Sequence, residues 1–241
     1  MRTSLEHAVS DRVAALDWVA MTADLDLRGV TTTGPILSAD ECRALAALYD
    51  DDGPFRSRIV MARHGFGSGE YKYFSYPLPG MIAELRTTLY ARLAPTASRW
   101  MARMGASITF PTGHDDFLSL CHAAGQIRPT PLLLRYEAGD YNCLHQDLYG
   151  STVFPLQAAI LLSDPAVDFT GGEFVVVEQR PRMQSRAEVI SLGQGEAVVF
   201  AVNERPVSGT RGDYRVKMRH GVSRVRFGRR HTLGMIFHDA A

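Results

Sequence analysis

From Pro131 onward the chain is cut into short apolar runs: Leu132 to Tyr136, Leu156 to Leu162, Glu173 to Val177, Ala197 to Val202, Val216 to Val222 and Thr232 to Phe237. Between them lie turn formers, at Ala138-Gly139-Asp140, Thr170-Gly171-Gly172, Gly193-Gln194-Gly195 and Phe227-Gly228, and no stretch with a helical period. Runs this short bury an apolar face only by pairing and packing against one another. They predict a mainly β core built as an antiparallel sandwich or barrel.

The first half reads differently. Val9, Val13, Leu16, Ala20 and Met21 fall on one stripe at helical spacing, which predicts a helix near Glu6 to Ala23. Ile36-Leu37 reads as a strand end, after which Ser38 and Glu41 have the spacing of a capping box and open a second helix. Met81 to Met104 is a third helical stretch, interrupted at Pro95, which lacks the N–H a helix interior needs. Tyr71 to Pro77 is aromatic and turn-bounded, as a strand or edge segment would be. The expected organisation is an N-terminal helical and strand extension, residues 1–130, packed on a β core, residues 131–241, in one folding unit.

Composition narrows the function classes. With 241 residues and 46% hydrophobic side chains, the chain can bury a full core without cross-links. Cys42, Cys121 and Cys143 are odd in number, widely spaced and form no C-x-x-C, which argues against a disulfide framework or zinc ribbon and fits a reducing cytoplasm. The opening residues carry neither a basic, apolar leader nor a spanning segment, so nothing directs the chain to a membrane. The 26 Lys and Arg are cancelled by 26 Asp and Glu, so no whole-molecule field draws in nucleic acid. Basic residues do gather late, 12 against 7 acidic from Gly171 to Ala241, as either a solvated sheet face or a groove for an anionic substrate.

The most informative triplet is His145-Gln146-Asp147. Alternate residues of a strand or its exit point to one side, so an imidazole and a carboxylate can meet at one point. By itself the pattern also fits a satisfied surface pair. His220 lies on the apolar run Val216 to Val222, as a third ligand or as a core histidine bonded to a carbonyl. Two histidines and one carboxylate leave half of an octahedral ion open. Arg230 begins the last run after the Phe227-Gly228 turn, and a hairpin there would set His220 and Arg230 at similar heights on neighbouring strands. Arginine suits a buried carboxylate, because its planar fork binds two oxygens and keeps its charge. Arg229 would point to the opposite face.

Other residues carry two readings each. Arg180, Arg182 and Arg186 form either a solvated hairpin tip or a clamp on phosphates at the barrel mouth. Tyr71, Tyr73 and Tyr76 either pack along a strand or stack on a substrate ring. The remaining histidines, among them His114 and His122 in loop-like sequence and His231 and His238 flanking the last strand, show no zinc-ligand spacing. Gly171-Gly172 has no following helix and no Lys-Ser/Thr, so it reads as a tight turn rather than a phosphate loop.

In order along the chain stand Arg135-Tyr136-x-x-Gly139-Asp140, His145-Gln-Asp147, Asp168-Phe-Thr-Gly171-Gly172-Glu173-Phe174, Gly195-x-Ala-Val-Val-Phe200, Arg219-His220-Gly221-Val222 and Gly228-Arg-Arg230-His-Thr-Leu233. This succession resembles the Fe(II)/2-oxoglutarate-dependent oxygenases, in particular the prolyl-hydroxylase-like branch, over Leu134 to Phe237. The resemblance implies a double-stranded β-helix, a jelly-roll or cupin-like core. It implies that His145, Asp147 and His220 bind Fe(II), that Arg230 pairs with the distal carboxylate of 2-oxoglutarate, and that the Tyr136 hydroxyl bonds the same group. The cosubstrates implied are 2-oxoglutarate and O₂, with release of succinate and CO₂.

The wording Leu144-His-Gln-Asp147-Leu-Tyr149 and the arginine-rich stretch Glu178 to Arg186 are similar to a bacterial group labelled as oxygenases of damaged DNA. Three functions stay open: hydroxylation or oxidative demethylation of alkylated DNA bases, with single-stranded or damaged DNA as partner; hydroxylation of a protein side chain or small metabolite; and a non-catalytic barrel used for binding.

Overall fold

The structure, a computed structural model, describes residues 8–165 and 167–241. Its strands, in chain order, are β1 (Val30–Pro35), β2 (Phe55–Val60), β3 (Gly67–Ser68), β4 (Glu70–Phe74), β5 (Leu132–Glu137), β6 (Tyr141–His145), β7 (Leu156–Leu161), β8 (Phe169–Gly171), β9 (Phe174–Gln179), β10 (Arg186–Ile190), β11 (Glu196–Ala201), β12 (Glu204–Gly209), β13 (Gly212–Val222) and β14 (Val225–Met235). The helices are α1 (Val9–Ala14), α2 (Trp18–Arg28), α3 (Ala39–Ala47), α4 (Gly80–Arg103) and α5 (His114–Ala123).

The larger sheet runs β1-β11-β7-β14-β5-β4-β2, with β8 also paired to β14. The smaller runs β10-β9-β13-β6-β3, with β12 paired to β13. Phe200 of the larger sheet meets Phe174 and His220 of the smaller, so the sheets face each other across a common interior. Period-two alternation decides what enters that interior. Leu132, Leu134 and Tyr136 on β5, Arg230 and Thr232 on β14, and Gln157 and Ala159 on β7 line it. The opposite face of the same strands, with Leu133, Ile160, Leu233 and Met235, joins Ile82, Leu85, Leu89 and Leu93 of α4 in one apolar cluster. Residues before Pro131 also enter the sheets. β1 borders β11, β4 borders β5, and β3 borders β6. No described helix is long and apolar enough to cross a membrane.

Ser38 caps α3 and the capping box with Glu41 is complete. Three local expectations change. The helix expected near Glu6 to Ala23 is two: α1 ends at Ala14, and Asp17 starts α2 by accepting from the Ala20 N–H; residues 1–7 lie outside the described residues. α4 is not interrupted at Pro95. Pro95 sits on the exposed side, as does Ala91, whose carbonyl would otherwise accept from residue 95. Its cost of about 3 kcal/mol is offset by the buried stripe of Leu85, Leu89, Leu93 and Trp100, at about 1.5–3 kcal/mol per large side chain. His114 and His122, expected in a loop, lie on α5.

The fourth correction bears on the site. His220 and Arg230 are not on neighbouring strands: β13 belongs to the smaller sheet and β14 to the larger. The chain crosses over at Ser223-Arg224, and Phe227-Gly228 lies inside β14 rather than at a turn. Gly228, at φ +79°, lets β14 press against β8, since a Cβ there would stand 1.9 Å from the Asp168 carbonyl oxygen. His220 and Arg230 therefore approach from opposite walls.

Candidate active site

His145 ends β6 directly opposite His220 in β13, and their ring centroids are 4.2 Å apart. Asp147 follows His145 by two residues and reaches the same point. One carboxylate oxygen, Oδ1, is 3.5 Å from His145 Nε2, and Oδ2 is 3.4 Å from His220 Nε2. Among the described residues this is the one group of three metal-type side chains whose donor atoms all lie within 4.8 Å of one another. Three donors about 2.1 Å from one ion on an octahedral face stand about 3 Å apart, and the two Asp147–histidine spacings are a few tenths of an ångström above that.

Neighbours aim the donors. His145 Nδ1 donates to the Cys143 carbonyl at 2.8 Å, which turns Nε2 and its lone pair toward Asp147. The Tyr149 hydroxyl donates to Asp147 Oδ1 at 2.8 Å, while Oδ2 turns toward His220. The Tyr149 ring stands edge-on to Tyr73. Phe174 stacks on the His220 ring, and Phe200 packs against it at 4.4 Å. Burial pushes the Asp147 carboxyl up, but the His220 and His145 imidazoles and the Tyr149 bond outweigh it, so it lies well below the usual carboxylate range. Burial pushes His220 down against the pull of Asp147, which favours the neutral imidazole a metal requires.

Arg230 and Tyr136 are directly paired between β14 and β5, with the guanidinium 5.7 Å from the Tyr136 ring centre. Arg230 is 3% exposed, yet its one hydrogen bond among the described residues is from Nη1 to the Thr232 hydroxyl at 2.5 Å. Its Nε and the Tyr136 hydroxyl have no partner, and no carboxylate among the described residues lies within ion-pair distance of it. Burial pushes Arg230 down to about 10, so it keeps its charge at neutral pH. Gly172, at φ +64°, makes room for it: a Cβ there would stand 2.9 Å from Arg230 Cδ. Arg229 faces outward, 3.1 Å from Glu137. A cavity of about 230 Å³ joins Arg230 and Tyr136 to the His145-Asp147-His220 group.

The other sequence candidates scatter. Arg180, Arg182 and Arg186 do border a hairpin, between β9 and β10, but none lines the cavity. Arg180 donates to Glu178 at 2.7 Å, Arg186 lies 3.8 Å from it, and buried Arg205 also bonds it. Tyr71 lines the cavity, whereas Tyr76 bonds Asp239 and Arg86 elsewhere. His114 and His238 are held by backbone groups of Phe237 and Phe154. Tyr149, Gln157 and Thr232 were missed. Thr232 shares Arg230's face by period two, and Gln157 is a polar residue inside an apolar run, so both left a signal.

A family model described as oxygenases catalysing oxidative methylation of damaged DNA matches residues 69–240. The chain belongs to this family. Proteins of two Mycobacterium tuberculosis strains, each described as uncharacterised, are 51% identical over 168 residues, covering 70% of this chain and 72% of theirs. Among solved structures, a Trichoplax adhaerens prolyl hydroxylase in complex with a peptide fragment is similar with a TM-score of 0.59 at 13% identity, over 96% of this chain and 92% of that one. A Pseudomonas putida prolyl-4-hydroxylase gives 0.54 at 15% identity, over 90% and 96%. A 2OG-Fe(II) oxygenase-family oxidoreductase from Burkholderia pseudomallei gives 0.53 at 16%, over 100% and 96%. At these identities the likeness speaks for the fold, the double-stranded β-helix of 2-oxoglutarate oxygenases. This oxygenase thus carries its candidate triad, His145, Asp147 and His220, inside that fold.

Proposed function

We propose that His145, Asp147 and His220 hold Fe(II), and that Arg230 with Tyr136 holds the distal carboxylate of 2-oxoglutarate. The observation that carries this reading is Arg230, a buried cation with no carboxylate within ion-pair distance among the described residues, in the same cavity as three metal-type donors. An uncompensated buried charge costs several kcal/mol, and a dicarboxylate cosubstrate removes that cost. Bound iron supplies the activation of O₂, coupled to conversion of 2-oxoglutarate to succinate and CO₂. The chain's own residues do the rest. Tyr149 engages one Asp147 oxygen, so that the other would be left to ligate a bound ion. Leu132, Leu134 and Ile236 keep the interior dry, which strengthens the Arg230 contact.

The substrate we propose is an alkylated base of single-stranded or damaged DNA, hydroxylated or oxidatively demethylated at the cavity mouth beside Phe66 and Tyr71. The family's description supports it. Arg182, at the tip of the hairpin, with Arg180 and Arg186 would meet backbone phosphates. A second reading, hydroxylation of a protein side chain or small metabolite, is favoured by one observation: among the described residues, Arg230 is the sole Arg or Lys in the cavity lining. A binding-only barrel leaves the three converging donors without a role. Anaerobic titration with Fe(II) and 2-oxoglutarate, then succinate release with methylated single-stranded DNA, peptides and metabolites, tests these readings. DNA-stimulated succinate release supports the first. Release stimulated by a peptide or metabolite but not by DNA gives the second, and no metal-dependent 2-oxoglutarate binding overturns both.

A further inference from the structure

The unpartnered buried side-chain atoms of the cavity lie toward its two ends. Arg230 Nε and Tyr136 Oη mark one. Toward the other lie Gln157 Nε2 and His220 Nδ1, which likewise have no hydrogen-bond partner among the described residues; the Gln157 side chain, 3% exposed, is the one of these that is not already a candidate metal ligand. Gln157 is level with Phe200 across β7 and β11, and the Phe200 ring is 4.4 Å from that of His220. Thr232, next inward-facing residue to Arg230, is level with Leu161, four residues further along β7, or about 13 Å at the rise of a strand. Gln157 therefore belongs to the triad's end of the cavity.

Nothing in the fold asks for an amide there. The run Leu156 to Leu161 is otherwise apolar, and neither Phe200, level with Gln157 on β11, nor Ala159, the next inward residue of β7, offers a side-chain acceptor. A donor stripped of water and left unpaired destabilises the fold unless a ligand brings the acceptor. Unpaired donors at both ends of one cavity match a ligand with an acceptor group at each end.

We infer that Gln157 is a binding residue for the cosubstrate, its Nε2–H donating to the carboxylate of the 2-oxo acid at the metal side while Arg230 takes the distal one. This rests on the metal and cosubstrate assignment proposed above. Gln157 thereby makes the site read both ends of a 2-oxodicarboxylate.

The test is calorimetric titration of the full chain loaded with Zn(II), which prevents turnover, using 2-oxoglutarate and 2-oxobutyrate, which lacks the distal carboxylate. Gln157→Leu should weaken both ligands by the same factor, tenfold or more, equivalent to about 1.4 kcal/mol, with Zn(II) affinity unchanged. Gln157→Glu, which sets a like charge against the carboxylate, should weaken both further. Arg230→Ala should weaken 2-oxoglutarate alone. The metal-free Gln157→Leu protein should melt no lower than wild type, because an apolar group replaces an unpaired amide. Wild-type affinity for 2-oxoglutarate in Gln157→Leu, or a loss confined to 2-oxoglutarate, overturns the inference and leaves the cosubstrate assignment standing. Failure of the wild-type protein to bind 2-oxoglutarate with Zn(II) overturns the assignment and the inference together.

Discussion

Arg86 and Arg230 are both buried arginines, 1% and 3% exposed, in opposite circumstances. Arg86, on α4, donates to the Ile236 carbonyl, the Tyr76 and Thr130 hydroxyls and the Asp239 carboxylate. Asp239 in turn accepts from Tyr76 and lies 2.9 Å from His122 Nε2, so one satisfied cluster ties α4, α5 and the C-terminal segment together. Arg230 has one hydroxyl for company and an unpaired Nε. The contrast separates two buried cations: the fold satisfies the one that ties its helices to the C-terminal segment, and leaves the other with a single hydroxyl partner among the described residues.

The largest effect should come from the group that Arg230 faces across the cavity. Asp147→Ala is expected to abolish iron binding and succinate formation while circular dichroism and Tm stay near wild type, since a cavity-lining carboxylate contributes little apolar burial. Wild-type-like succinate formation in that variant would break the metal side of the comparison.

Next is Arg230 itself. Losing a desolvated, charge-assisted pair costs roughly 2–5 kcal/mol, or about thirtyfold to several-thousandfold in affinity. Arg230→Ala should raise the KM for 2-oxoglutarate at least by the lower factor, with metal affinity nearly unchanged and metal-free stability no lower than wild type. Arg229→Ala should do neither. If Arg229→Ala gave the cosubstrate defect instead, the inward register of β14 would be off by one residue.

Arg86→Ala should behave as the mirror image, lowering stability by about 3–5 kcal/mol because Asp239 is left as an unpaired buried charge, while the folded fraction keeps its KM for 2-oxoglutarate. Acid sharpens this. Burial raises the Asp239 carboxyl, but Arg86 and the bonds from His122 and Tyr76 hold it below its ordinary 3.8. A carboxyl depressed in the folded state contributes stability above its unfolded pKa and loses it as pH falls through the folded value. Wild type should therefore lose a component of stability below about pH 4, and Asp239→Asn should lack that component in urea titrations across the range. An unchanged pH dependence in Asp239→Asn would mean the cluster is not what holds the C-terminal segment.

The smallest effect expected is that of Tyr149→Phe. The ring keeps its packing on Tyr73, while the hydroxyl's bond to Asp147 and its contact with the Tyr73 hydroxyl are lost; at about 1 kcal/mol for the bond to Asp147, metal affinity should fall roughly fivefold. A metal affinity equal to wild type would mean Asp147 is aimed by the strand exit alone.

Much of this was legible in the residues. Short apolar runs split by glycine turns predicted the β core, because strands that short must pair, and Ser38 with Glu41 predicted the start of α3 through a purely local exchange of hydrogen bonds. Period two predicted that His145 and Asp147 would share a side and that only one of Arg229 and Arg230 would turn inward, and the family resemblance chose Arg230. Family-like spacing named the same residues. Local rules failed where distant packing outvoted them. Pro95 argues against a helix interior, but the buried stripe of α4 carries the helix through it on the solvent side. Arg180 and Arg186 look like free cations in a sequence, but Glu178, buried by a neighbouring arginine from β12, draws them back.

The sequence by itself determined which side chains alternate inward along each strand, since that follows from the backbone's own period. Only the tertiary structure decided what those side chains meet. β13 and β14 are consecutive in the chain, and a hairpin was the local expectation, yet the crossover at Ser223-Arg224 sends them to opposite sheets. His220 thus faces the wall that carries Arg230 and Gln157, and a cavity lies between them. Which strands pair is set by the burial of whole faces, summed over residues far apart in the chain, and no local window of sequence contains that sum.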